Sequence, residues 1–409
     1  MVQALKCDSL VSSAYLAPNE IRGCCKRFHI NGELKGDLKL IDLKKDNNIT
    51  FEKILNSKKK VLEEINSSNF SKEHPCYGCP WIVEDKNPSK IKITHISFET
   101  ESICNMRCSY CSEVYYGGEK AIYDVKKLLK DFQTHISNDE ISIVFGGGEP
   151  VLNKDFKYLL DYSLNNFNIK SLRIFTNSTI KSEDIKKYID MGKIFITTSI
   201  DAGKAETFKK IRGINAFEKV FKNLNYYAQN NPSQITIKYI FSEGNTTQEE
   251  VDLYLAKIKE ERLESCSFQV SSDFKKDYLN LEQIKVIKSL KEKLDEISNG
   301  NTFLDDHLAP RLIAGNKDKL FKSKGEQYIV WGAGEHAKRI YERLGVENVS
   351  FFIDSYKKDE LLLNRKIYGP KSLINNNLPI YIASVQAYPQ IKKIIEDMGQ
   401  AERIITEPY

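Results

Sequence analysis

A chain of 409 residues exceeds what one hydrophobic core usually supports, so two or three domains are expected. The net charge of +5 is small for this length, and lysines alternate with acids along the helical stretches instead of forming a basic block, which argues against a nucleic-acid partner. No apolar run approaches the roughly 18 residues that span a bilayer, and MVQALKCDSLVSS lacks a basic segment followed by a long apolar one, so a cytoplasmic protein without a membrane partner is expected.

Nine cysteines stand at positions 7, 24, 25, 76, 79, 104, 108, 111 and 266. An odd count without a secretion signal argues against a disulfide framework, and clustered thiols in a reducing compartment point to metal binding. Residues 1–90 hold five of these thiols, several Gly and Asn turn signals and one helical stretch, FEKILNSKKKVLEEI, and read as a small metal-stapled unit. The polar, Pro-containing DKNPSK at 85–90 reads as a linker.

The second domain is expected over 91–320. From 91 to about 275 short runs of Ile, Val, Phe and Thr alternate with amphipathic stretches, the pattern of βα units around a parallel sheet. Six strands are predicted: IKITHISFE, ISIVFGG, SLRIFTN, IFITTSID, QITIKYIF and SCSFQVSS. The helices include DVKKLLKDFQTH, AFEKVFKNLNYYAQN, a stretch opened by the capping box Thr247 and Glu250, and LEQIKVIKSLKEKLDEI after the sixth strand. A linker is expected between Ala314 and Gly325. A third domain, 325–409, again alternates strand and helix through YIVWGAG, VSFFID, PIYIAS and IKKIIEDMG.

The chemistry concentrates after the first predicted strand of the second domain, where CNMRCSYC places Cys104, Cys108 and Cys111 on one loop. Three thiolates can hold three irons of a cubane and leave the fourth iron without a protein ligand; three packed or zinc-binding cysteines are the alternative. A second motif, GGGEP at 146–150, ends the next strand, and there Gly147 and Gly148 permit close backbone approach while the Glu149 carboxylate can accept from an ammonium group.

C-x-x-x-C-x-aromatic-C, here with Tyr110 as the aromatic, followed by Gly-Gly-Glu, resembles the radical S-adenosylmethionine (radical SAM) superfamily. The resemblance implies a partial (β/α)6 barrel in an α/β chain and a [4Fe-4S] cluster on Cys104, Cys108 and Cys111. It also implies S-adenosylmethionine chelated by the open iron, whose reductive cleavage yields a hydrogen-abstracting 5′-deoxyadenosyl radical.

Strand parity extends this site. In IFITTSID, Thr197, Ser199 and Asp201 share one face and Ile196 and Ile200 the other. By similarity to the family, Ser199 meets the cofactor ribose, Asp201 the substrate or cofactor, and Arg212 of KKIRG the cofactor carboxylate; strand-end capping and a surface ion pair are the plainer readings. Asn177 ends the third strand, where cofactors sit on parallel sheets. Lys238 lies opposite Ile235, Ile237 and Tyr239, so it faces inward to an anionic substrate group, or reaches water at an edge. His95 and Glu99 share a face of the first strand, with a structural histidine expected, and Cys266 reads as a packed thiol.

RGCCKRF and HPCYGCP offer two thiol pairs, Cys24 with Cys25 and Cys76 with Cys79, with Cys7 as a fifth thiol. They resemble the auxiliary-cluster modules called SPASM or twitch domains, although those normally follow the core and carry more cysteines. A second iron–sulfur cluster and a structural zinc both remain open. In YIVWGAGEHAKRIYERLG, Gly332 and Gly334 open a strand–turn–helix unit and Asp354 ends the next strand. This is the spacing that brings a phosphate to a helix start and an acid to a ribose. The unit resembles small Rossmann-like domains of nucleotide-sugar enzymes; packing or protein docking is its other reading.

The expected protein is an enzyme of three parts acting on a nucleotide-activated sugar or related small metabolite, served by a flavodoxin- or ferredoxin-type reductant. A peptide-modifying maturase is the alternative suggested by the front cysteines. An iron–sulfur electron carrier or scaffold is the non-enzymatic one, and GGGEP argues against it.

Overall fold

The structure, a computed structural model, describes residues 4–405 apart from 31–32, 46, 69, 80, 86–89, 112–117, 137, 274–278, 280, 306–307, 309–326, 335–336, 339–340, 342–345 and 384–386. The linker expected at 314–325 lies outside the described residues, as does most of the one at 85–90.

The first ninety residues contain strands β1 (Ala4–Cys7), β2 (Ser13–Leu16), β3 (Glu20–Arg22), β4 (Arg27–Ile30), β5 (Glu33–Gly36), β6 (Lys39–Asp42) and β7 (Ile82–Asp85), with helices α1 (Asp8–Ser12) and α2 (Phe51–Ile65). Helix α2 covers the stretch predicted as helical, and Thr50 caps it by accepting from the Lys53 amide at 3.2 Å. The expectation of a separate front unit needs correcting, because β2 pairs in parallel with the first strand of the second domain, with Ser13 opposite His95 and Leu16 opposite Phe98. β3 and β6 extend that sheet further in antiparallel pairing. An exposed parallel edge leaves unpaired N–H and C=O groups, and the front strands satisfy them. On the helical side, α2 docks through Phe51, whose ring lies 5.2 Å from that of Phe132 and whose amide donates to Asp131.

All six predicted strands of the second domain form: β8 (His95–Phe98), β9 (Glu140–Phe145), β10 (Asn168–Phe175), β11 (Phe195–Ser199), β12 (Ile235–Phe241) and β13 (Ser267–Ser272). A further parallel strand, β14 (Thr302–Leu304), was too short to show a period. Helices α3 (Val125–Ile136), α4 (Phe156–Asn166), α5 (Glu183–Asp190), α6 (Ala205–Arg212), α7 (Phe217–Ala228), α8 (Gln248–Glu260) and α9 (Leu281–Ser298) lie between them. Of the capping box, the threonine half forms, with Thr247 accepting from the Glu250 amide, while the Glu250 carboxylate accepts from the Gly203 amide and the Thr207 hydroxyl. Neighbours in space are neighbours in sequence from β8 to β14.

Alternation then separates two faces. Ile143, Leu172, Ile174, Ile196, Ile237 and Phe268 pack against helix residues such as Phe132, Leu160, Leu224 and Ile258, each such burial worth about 1.5–3 kcal/mol. The opposite face carries Ser97, Glu99, Arg173, Thr197, Ser199, Thr236, Lys238 and Ser271. It is not open to solvent: Ser97, Thr197, Thr236 and Ser271 are all buried.

The last unit is a sheet of β15 (Tyr328–Trp331), β16 (Val349–Ile353), β17 (Leu361–Leu362), β18 (Arg365–Tyr368) and β19 (Ile380–Ile382), ordered β17-β18-β16-β15-β19, with helix α10 (Tyr388–Asp397) following. All but β17 run parallel. Both faces are covered: Val330 and Phe352 pack with Ala337 on one side, and Ile329 and Trp331 with Ile391 and Ile395 on the other.

Candidate active site

The loop carrying Cys104, Cys108 and Cys111 is clamped from two sides. On one side the Gly148 amide donates to Glu101 O at 3.0 Å and the Glu149 amide to Ile103 O at 2.7 Å. The approach is so close that a Cβ on Gly148 would stand 2.0 Å from Ile103 O, while Gly147 takes a φ of +91°. Opposite, the amides of Arg107 and Ser109 donate to the carbonyls of Arg212 and Ile211 at the end of α6. There Gly213, at φ +79°, is the left-handed cap of α6, and a Cβ would meet Arg107 O at 2.7 Å. The glycines of both motifs therefore serve first to seat the cysteine loop.

Asn177, just past β10, completes this support: its Nδ2 donates to Asn105 Oδ1 at 2.7 Å and lies 3.8 Å from Cys104 Sγ. Glu149 is buried, with Oε2 accepting from the Asn177 amide at 2.6 Å and Oε1 from the Thr176 hydroxyl at 2.9 Å. Burial raises its carboxyl to about 7, and these donors restrain the rise. Burial likewise pushes the Cys104 and Cys108 thiols up.

Asp201, Arg212 and Tyr110 form one buried group. Asp201 Oδ2 accepts from the Tyr110 hydroxyl at 2.6 Å and pairs with Arg212 Nη1 at 3.0 Å, Oδ1 accepts from the Ile240 amide at 2.7 Å, and Arg212 also touches the Tyr110 hydroxyl. Burial pushes the Asp201 carboxyl up, against the Ile240 amide and the charge of Lys238. Sequence reasoning directed Asp201 and Arg212 at ligands; here they neutralise each other under the cysteine loop, because two buried charges of opposite sign are stable only when paired. Arg212 Nε is buried and has no hydrogen-bond partner among the described residues.

Ser199 and Lys238 stand opposite each other in register on the polar face. Lys238 faces inward as expected, and its Nζ lies 3.6 Å from Asp305 Oδ2, which also takes the Ser271 hydroxyl. Three residues of this face escaped sequence reasoning. Asp305 follows a strand too short to predict, Arg22 pairs with Glu99 only through the added front strands, and Arg173 was visible as the one cation alternating with Phe175 and Asn177. His95 lies tilted at 47° to the Tyr15 ring, 5.6 Å between ring centres, with its imidazole pushed down by burial, and Cys266 is fully buried.

Residues 99–258 match the Radical SAM superfamily. The chain carries a radical SAM domain. A domain of this family makes the chain an enzyme. Among its relatives, the GTP 3′,8-cyclase of Pasteurella multocida (strain Pm70) is 29% identical over 136 residues, 32% of this chain and 40% of the relative. The GTP 3′,8-cyclase of Psychromonas ingrahamii is 26% identical over 178 residues, 42% and 51% of the two chains. The chain thus spans about half or less of the length of these two curated relatives. Among solved structures, Streptococcus suis SuiB bound to S-adenosylmethionine aligns at TM-score 0.43 and 15% identity over 66% of this chain and 58% of that one. Native anSMEcpe with bound AdoMet and Cp18Cys peptide aligns at 0.41 and 18% over 53% and 64%.

The residues of the radical SAM domain fit the cluster that the family implies: three thiols, none in a disulfide, stand on one loop held at both ends by backbone contacts no larger residue would allow. Among the described residues no three His, Cys, Asp or Glu side chains stand close enough to share a single metal ion. A cubane sets a looser demand, because each thiolate binds a different iron. No helix among the described residues is long and apolar enough to cross a membrane.

In front of the radical SAM domain, Cys7, Cys24 and Cys79 are buried in one cluster, with Cys76 packed against it. The β1–β7 pairing sets Cys7 opposite Ile82, three residues past Cys79. The sequence offered Cys7 as a fifth thiol beside the two pairs. Cys25 departs from the expected pair: it is exposed and its thiol donates to the Tyr15 hydroxyl at 3.2 Å, because adjacent residues on an extended chain point opposite ways. Lys58 is fully buried beside this group, donating to the carbonyls of Leu10 and Ser13, and burial lowers its ammonium to about 7.

In the C-terminal unit, Gly332 has a φ of +123° and donates to Ile353 O at 2.7 Å. A Cβ on Gly334 would meet nothing within 4 Å. Asp354 differs from expectation: Oδ2 accepts from the Ala333 amide at 3.0 Å and Oδ1 from the Tyr356 and Lys357 amides, so it braces the glycine turn. Tyr356 lies against the front thiols, its hydroxyl 3.4 Å from Cys79 O.

Proposed function

We propose that this enzyme reductively cleaves S-adenosylmethionine at a [4Fe-4S] cluster on Cys104, Cys108 and Cys111 and abstracts hydrogen from a nucleotide-activated sugar or related small metabolite. The observation that carries this reading is the cysteine loop seated on Gly148 and Gly213 with the buried Glu149 beside it. When bound, the cluster supplies the electron that breaks the cofactor's sulfonium bond. The chain's own residues fix geometry: Gly147 and Gly148 present a close backbone edge, Glu149 accepts from the cofactor ammonium, Asn177 holds the loop, and Ser199 faces the ribose. The Asp201–Arg212–Tyr110 group holds the loop from below, and the orphaned Arg212 Nε is its donor toward a cofactor carboxylate. Lys238 faces the substrate. The sequential parallel order of β8 to β13 supports the partial barrel.

Glu149 gives this reading a pH signature. Its carboxyl titrates at about 7, and only the ionised form pairs with an ammonium, so cofactor affinity is expected to be full above that value. As pH falls below it, affinity should drop about tenfold per unit. Equilibrium binding of S-adenosylmethionine from pH 5.5 to 8.5 measures this, and Glu149→Gln should bind weakly with a flat profile.

Cys7, Cys24, Cys76 and Cys79 are assigned to a second iron–sulfur cluster, with the buried Lys58 offsetting thiolate charge. Serine at Cys76 and Cys79 together, or at Cys7, is expected to remove the iron beyond the first cluster, whereas Cys25→Ser should retain it. Iron and sulfide counts after anaerobic reconstitution decide this. The C-terminal unit, with parallel order β18-β16-β15-β19 and its glycine turn at the point where connections reverse, is assigned as Rossmann-like and nucleotide-binding. A peptide substrate is the second reading, favoured by the front thiol group. Screening nucleotide sugars and peptides for substrate-dependent 5′-deoxyadenosine, with a flavodoxin- or ferredoxin-type donor, separates the two.

A further inference from the structure

We propose that Arg173 forms the floor of the substrate site and grips an oxyanion, a phosphate or carboxylate group of the substrate; this rests on the site reading above and names its ligand chemistry. Arg173 lies on the polar face of β10, where Nη1 donates to Thr197 Oγ1 at 2.7 Å and Thr236 Oγ1 at 3.1 Å. Its guanidinium carbon sits 5.4 Å from the Phe195 ring centre. The other cations of this region each have a carboxylate: Lys238 has Asp305, Arg22 has Glu99 and Arg212 has Asp201. Arg173 has two hydroxyls and, among the described residues, no acidic partner. Hydroxyl oxygens orient a guanidinium without neutralising it, and a half-buried charge of this kind costs stability unless a ligand of opposite sign completes it.

The geometry also sets what such a ligand looks like. With Nη1 fixed by the two threonines, Nε and Nη2 offer the planar two-donor edge that matches an oxyanion. Arg173 and Phe175 share one side of β10, and Asn177, two residues past its end, touches the cysteine loop. From Arg173 to Asn177 the chain advances about 13 Å, which separates the guanidinium's anchor from the residue that touches the cysteine loop. Between them Phe175 is 43% exposed, an apolar ring on which a planar or sugar-like body can lie. A substrate of nucleotide size, with its charged end down and its reacting carbon up, fits this distance.

The test measures the thermal midpoint of the anaerobically reconstituted enzyme with pyrophosphate, succinate or GTP at constant ionic strength, for wild type, Arg173→Gln and Arg173→Lys. At least one probe is expected to raise the wild-type midpoint by about 2 °C or more. The rise should be lost in Arg173→Gln and partly kept in Arg173→Lys, which retains the charge without the planar fork. Equal rises in wild type and Arg173→Gln, or no rise with any probe, overturn the proposal. Should Arg173→Gln not fold, Arg173→Lys decides: a rise equal to wild type overturns, and a reduced one supports. Wild-type 5′-deoxyadenosine yield is scored in parallel; its absence defeats the reading of the cysteine loop and leaves the anion result standing.

Discussion

Cys108→Ala is expected to form no 5′-deoxyadenosine under reduction and to lose about four irons per chain. Cys108 is the middle ligand of the three and the most buried, at 9% exposure, so neither water nor a neighbouring side chain can replace its sulfur. With only two thiolates left on the loop, a cubane loses the tripod that holds it. Alanine is smaller than cysteine and the loop lies beyond the end of β8, outside the sheet itself, so the parallel core should persist. Far-ultraviolet circular dichroism checks that, and iron analysis with product chromatography checks the rest. A normal product yield from this variant would refute the assignment of the loop.

Gly148→Ala should be nearly as damaging, and for a purely steric reason. Its Cβ would be placed 2.0 Å from Ile103 O, a backbone atom that cannot rotate away, so the cysteine loop must move by an ångström or more. Displacement of that size at a reacting centre costs about a hundredfold in rate. Gly146→Ala is the internal control, since its Cβ would meet only the Phe175 ring at an ordinary 3.7 Å, and a change within about twofold is expected. Comparing 5′-deoxyadenosine formation by the two variants, with iron content measured on each, separates loop placement from a general intolerance of the GGGEP run. Equal losses in both would show that the seat of the cysteine loop is not what Gly148 provides.

How much of this was legible beforehand varies with the reach of each signal. Short-range patterns were reliable: the β8 to β13 strands, α2 from its first to its last residue, and the Thr247 cap all follow from alternation, the 3.6-residue period and a hydroxyl at a helix start. The inward direction of Lys238 also followed, because strand parity needs only local sequence. Parity failed at Asp201, where the strand has ended at Ser199 and the backbone takes a φ of +64°, turning the carboxylate back under the loop toward Arg212. Asp354 shows the same limit in the C-terminal unit, since the spacing placed it beside the glycine turn but could not say that backbone amides would occupy both its oxygens.

The amino-acid sequence by itself determined which atoms are reactive and where they lie along the chain: three thiols within eight residues, a carboxylate after three glycines, and a parallel βα order that must bring strand ends to one edge. Only the tertiary structure decided which partners those groups have. It brought Cys7 to Cys24, Cys76 and Cys79, turned Cys25 away, attached the front strands to β8, paired Asp201 with Arg212 and gave Arg173, among the described residues, two threonine hydroxyls and no carboxylate. The reason is that reactivity and periodicity are properties of neighbouring residues, whereas neutralising a buried charge or closing a sheet edge depends on segments tens of residues apart, whose meeting no local pattern encodes.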